Sequence, residues 1–149
     1  MNIDEKKEAI KYFNKTWDFI EKEDRSPSEN LEMIDLAFKS KYYWSLVGTK
    51  INFIRSNWQI SRVFAEANLL EASLYYSKKC LEDTTNEKIT GFDLFFAYEA
   101  NVRVYHLMKR FDLRDNMKVK ALESLDTIIK KEDKEYCTSE LEKILKIQC

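Results

Sequence analysis

Arg55, Trp58, Arg62 and Glu66 follow one another at steps of three or four residues. Phe96, Glu99, Arg103 and His106 do the same further along the chain. On a helix, residues so spaced share one face. Each quartet therefore predicts a stripe of charge and aromatic surface. Arginine's planar fork holds a carboxylate through two bonds and stacks on an aromatic ring. Arg55 and Arg62 flanking Trp58 suit an acidic side chain, a chain terminus or a small carboxylate ligand. The same arginines also suit ion pairs with Glu99 and Asp93 on a neighbouring helix, which would fix helix register and bind nothing. Spacing leaves both readings open.

Other chemistry finds less material. His106 is the only histidine, so a histidine-based metal cluster is excluded. Cys80, Cys137 and Cys149 are odd in number and far apart, with neither CxxC nor Cys/His spacing, which argues against a disulfide framework and a structural zinc site. No glycine-rich phosphate loop is present. The carboxylate pairs Glu23–Asp24 and Glu132–Asp133 fall in expected loops and read as solvated. No catalytic constellation emerges, and neither a cofactor nor a metal is expected.

The elements that must position the two stripes are helices. The chain has 149 residues, the length of one domain, so residues 1–149 are expected to form a single unit. Two glycines and one proline are too few for the turns of a β-rich fold or a nucleotide-binding α/β fold. Acidic and basic residues nearly balance at a net charge of −1, which gives no overall field for nucleic acid or an anionic membrane. No signal peptide and no membrane-spanning run is legible, so the expected setting is cytoplasmic.

Helical periodicity runs almost throughout. Ile10, Phe13, Trp17 and Ile20 form one stripe on the first helix. Ser26, Pro27 and Glu29 read as a capping box with proline at the first helical position, opening a second helix to Val47. Gly48 is expected to end it in the left-handed conformation. The third helix, about 50–67, and the fifth, about 92–109, carry apolar residues nearly all round and should be sandwiched between neighbours. A fourth helix is expected over about 70–82, followed by a polar loop to Gly91. A sixth carries Ala121, Leu122, Leu125, Ile128 and Ile129, is broken by "KKEDKE", and precedes a seventh. The expected fold is all-α, about seven helices in stacked antiparallel hairpins.

The stretch "ISRVFAEANLLEASLYYSKKCL", Ile60 to Leu81, resembles a tetratricopeptide repeat. Ser61, Ser73, Ser77 and Cys80 stand where its two helices meet, Phe64 takes the aromatic position, and Asn68 replaces the turn glycine. A second, weaker copy runs from "YEANVRVYHLMK" into "VKALESLDTII", with Tyr105 matching Phe64 at more than the usual spacing of about 34 residues. The blocks "YYWSLVGTKINFIRSNWQISRVFA" and "FDLFFAYEANVRVY" also resemble a group of small bacterial proteins of unassigned function, which implies a bacterial origin and no transferable activity.

The tetratricopeptide resemblance implies a concave groove lined by the first helix of each hairpin. It places Arg55, Trp58, Arg62 and Glu66, with Phe96, Glu99, Arg103 and His106, on that groove, and Asn14, Trp17 and Asp18 as an extension of its wall. The lysine and asparagine residues of the family's carboxylate clamps are missing from those positions. The leading expectation is an interaction module that holds a protein or peptide segment in a mixed-charge aromatic groove. A second is a small-molecule binder or enzyme, which needs the first and seventh helices to roof the groove into an enclosed polar cavity. A third is a self-associating protein, a homodimer through Tyr42 or Tyr43.

Overall fold

In the computed structural model, which describes residues 3–149, Asp4 opens the first helix, its carboxylate accepting from the Lys7 amide at 3.1 Å. Seven helices follow in order: α1 Glu5–Ile20, α2 Pro27–Val47, α3 Lys50–Glu66, α4 Leu70–Asn86, α5 Phe92–Leu107, α6 Phe111–Ser124 and α7 Lys131–Leu145. A single 3₁₀ turn, Leu125–Thr127, separates the last two. There is no strand among the described residues, and none of these helices is long and apolar enough to cross a membrane.

Each helix from α1 to α5 packs on the next, and α3 also meets α5, which meets α7. α1 reaches α3 through Gln59, whose buried side-chain amide donates to the Phe13 carbonyl at 3.0 Å. The odd-numbered helices thus form one row, on which the candidate site lies. Small polar residues permit close approach between the rows. Ser61 of α3 and Ser73 of α4 donate to each other's backbone carbonyls at 2.9 and 2.8 Å. Ser77 of α4 meets Asn101 of α5 at 3.1 Å, and Ser40 of α2 donates to the Ala9 carbonyl of α1 at 2.8 Å. All six of these residues are buried.

The expected start signals are present. Ser26 and Glu29 exchange side-chain and backbone hydrogen bonds at 3.0 and 3.1 Å, with Pro27 opening α2. Asn68 takes φ 60° at the end of α3. Arg25, unremarked in the sequence, closes α1. Its guanidinium donates to the carbonyls of Phe19, Ile20 and Lys22, and reaches the Glu66 carbonyl of α3 at 3.1 Å. Cations suit the carbonyl-rich ends of helices.

Several boundaries differ from expectation. Gly48 is not left-handed: its φ is −86°, and a Cβ there would lie 2.6 Å from the Trp44 carbonyl oxygen. Close approach, not handedness, selects glycine. α4 runs one turn further, because the Thr84 and Thr85 hydroxyls bond back to the Cys80 and Leu81 carbonyls and so tolerate a helical backbone. α6 stops at Ser124, where the chain tightens and the Thr127 hydroxyl accepts from the Gly91 amide at 2.7 Å. Ile128 is buried from extended backbone, and Ile129 is 97% exposed. "KKEDKE" does not break a helix. It opens α7, with Glu132 and Asp133 in the first turn, where the helix dipole favours acids. On α1 the buried positions are Ala9, Thr16 and Ile20, while Ile10 stays exposed, because α2 approaches on the Ala9 side.

Candidate functional site

The odd-numbered row lines a half-open cavity of about 210 Å³. α3 lines it with Ile54, Arg55, Trp58 and Arg62, and α5 with Phe92, Asp93, Phe96, Ala97 and Glu99. Phe13 and Trp17 of α1 close one side, Tyr136 and Glu140 of α7 the other, and Cys80 of α4 adds a thiol. Ring centroids run in a chain around it: Trp17 to Trp58 at 5.7 Å, Trp58 to Phe96 at 5.8 Å, and Phe96 to Tyr136 at 6.1 Å. Phe92 stacks on Tyr136 at 6.1 Å and 7°, and both rings are partly open to solvent.

The charged groups are paired. Arg55 holds Asp93 through two bonds, Nε to Oδ1 at 2.9 Å and Nη2 to Oδ2 at 3.0 Å. Donating to Asp93 raises the Arg55 pKa above its ordinary value. Arg62 lies 3.7 Å from Glu66 and over the Trp17 ring at 5.8 Å. Glu99 faces Arg103, one turn on, with Oε1 3.5 Å from Nε. Both side chains of that pair are almost fully buried. Burial pushes Glu99 above the usual carboxylate range, outweighing the opposing fields of Arg103 and Arg62, and Glu140 adds to the rise. Burial likewise lowers Arg103, against the pull of Glu99. Among the described residues, Glu99 Oε1, Arg103 Nε and Arg62 Nε are buried atoms with no hydrogen-bond partner.

Comparison with protein-family models, curated proteins and solved structures finds no match to this chain. The reading of the site rests on its geometry.

Of the residues singled out in the sequence, Trp17, Arg55, Trp58, Arg62, Phe96 and Glu99 converge on the cavity. Glu66 and Arg103 stand behind it as partners of Arg62 and Glu99. Asn14 and Asp18 are exposed on α1, outside the lining. His106 lies apart and is buried. Its Nδ1 meets the Arg114 guanidinium at 3.1 Å and its Nε2 the Ile147 carbonyl at 2.7 Å. A guanidinium only donates, so Nδ1 accepts and Nε2 carries the proton. His106 thus ties α5 to α6 and to the segment after α7. Phe13, Tyr136 and Glu140 were not legible as site residues. Tyr136 and Glu140 share a face of α7 by spacing, but nothing in the sequence says that this face meets α3 and α5.

Proposed function

We propose that the protein binds a small, predominantly apolar molecule in the cavity between α1, α3, α5 and α7. One observation carries this reading. α1 and α7 both contribute walls, so the groove deepens at its centre into a half-open pocket of about 210 Å³, and a concave, mostly apolar pocket with a few convergent polar groups is the usual form of a ligand site. The use of Arg55 by Asp93 weighs against an added carboxylate at that arginine.

A partner protein is the second reading, favoured by the solvent-facing Phe92–Tyr136 stack at the cavity. A peptide resting on that stack and inserting one side chain would use the odd-numbered row as tetratricopeptide-like domains use theirs. The Ser61–Ser73 and Ser77–Asn101 contacts between successive helices support that likeness. The free state of all three cysteines suits a reducing, cytoplasmic setting.

Fragment screening by ¹H–¹⁵N NMR tests the first reading. Trp17 and Trp58 line the cavity and Trp44 does not. A bound fragment is expected to shift the Trp17 and Trp58 indole signals and leave Trp44 unmoved. A fragment library that shifts none of them, or Trp44 alone, refutes it.

A further inference from the structure

We propose that the protein forms a two-fold homodimer through the outer face of α6, with the two α6 helices antiparallel. No residue of α6 lines the pocket, so the inference stands apart from the ligand reading.

The open face comes first. α2 packs between α1 and α3, and α4 between α3 and α5, whereas α6 packs closely on α5 alone. Its buried positions are Ala121 and Ser124. On its other side Val119 is 54% and Leu122 40% exposed, and Ile129, just past the helix, stands free of the fold. Burial of such side chains is favourable, and no described element of this chain provides it.

The occupant follows from the order of residues. Lys118, Val119, Leu122 and Glu123 span about 140° of the helix circumference at roughly 100° per residue, so they share one face. They are also symmetric about the midpoint between Lys120 and Ala121. Each apolar residue has an apolar counterpart, and the lysine has a glutamate. A second α6 laid antiparallel across that midpoint sets Val119 against Leu122 of the partner subunit. It sets Lys118 against Glu123 of the partner subunit. The two-fold axis makes each contact twice, which is the self-complementarity an isologous interface requires. An unrelated protein would have to match this spacing by chance; a second copy matches it by symmetry.

Charge agrees. Neither Lys118 nor Glu123 makes an ion pair among the described residues. Five residues apart, they do not meet along the helix as residues three or four apart do. At the rim, Asp115 opposes Asp126 of the partner subunit, and Arg114, bonded to Asp115 at 2.9 Å, offsets that repulsion.

Analytical ultracentrifugation of the full chain over a concentration series tests this. The wild type is expected to pass from monomer to dimer. Lys118→Glu sets like charges against each other twice across the axis, and is expected to weaken the dimer about tenfold or more. Glu123→Lys should do the same. Lys118→Glu/Glu123→Lys restores opposite charges across the axis and should restore the dimer. Glu123 is exposed and Lys118 half-buried, so the variants are expected to fold, which circular dichroism checks. If Lys118→Glu does not fold, Glu123→Lys and Val119→Asp against the wild type decide, and both should weaken the dimer. A wild type that stays monomeric up to about 1 mM overturns the proposal. So does a dimer that survives the folded single variants, one that the double variant leaves broken, or one that Tyr42→Ser dissolves instead.

Discussion

Glu99 and Arg103 form a buried ion pair on α5, and removing one partner should be worse than removing both. The pair is separated by 3.5 Å, its side chains are 2% and 7% exposed, and the two facing atoms make no hydrogen bond. Attraction therefore repays little of the desolvation, as the upward shift of Glu99 and the downward shift of Arg103 both indicate. Arg103→Met leaves a buried carboxylate opposed only by Arg62, and is expected to cost about 3–5 kcal/mol at neutral pH. Glu99→Leu/Arg103→Met removes both charges and is expected to lie within about 1 kcal/mol of the wild type, or above it. The single variant should also respond to pH. Glu99 faces Arg103 on its own helix, Arg62 on α3 and Glu140 on α7. Loss of Arg103 raises its folded pKa further. A carboxyl raised on folding contributes stability that is full below its unfolded value, near 4.5, and is lost as pH rises through the folded value. Arg103→Met should therefore regain stability on going from pH 8 to pH 5, by at most about 1.4 kcal/mol per pH unit relative to the double variant. Urea unfolding followed by tryptophan fluorescence at each pH measures all three proteins. If the double variant loses the sum of the two single losses, or Arg103→Met shows no pH response beyond that of the double variant, the reasoning is refuted.

The Arg55–Asp93 pair should behave differently. Its geometry is bidentate, but the Arg55 side chain is 54% exposed, and exposed pairs contribute about 0–1 kcal/mol. Arg55→Ala is expected to lower stability by less than about 1 kcal/mol in thermal unfolding; a loss well beyond that would make the pair a structural anchor. The cysteines give a separate check on burial. Cys80 and Cys137 are buried, with thiols pushed up to about 12 by desolvation, and Cys149 is exposed. Ellman's reagent should modify Cys149 rapidly in the folded protein, and Cys80 and Cys137 only in denaturant; fast labelling of either buried thiol would contradict this packing.

The helices were readable because each depends on its own few residues. Ser26, Pro27 and Glu29 carry a start signal within four positions, and Asn68 tolerates the positive φ it adopts. Boundaries failed where a residue's role depended on something distant or on a polar side chain bending back. Thr84 continues α4 by bonding to Cys80, and Thr127 leaves the α6 pattern to hold the Gly91 amide.

The site divides in the same way. Helical spacing alone put Arg55, Trp58 and Arg62 on one face, and Phe96 and Glu99 on another. Which charge met which was a tertiary matter only for Arg55, since Arg62–Glu66 and Glu99–Arg103 are pairs four residues apart on one helix. Arg55 found Asp93, Arg62 lay over Trp17 beside Glu66, and Glu99 turned to Arg103 on its own helix. Tyr136 and Glu140 joined only because α7 packs on α5, some forty residues on. Local periodicity determines which residues share a helix face, since that follows from a rise and twist common to all helices. Only the packing of faces decides which of them enclose a space, because that depends on the shapes and separations of side chains far apart in the chain.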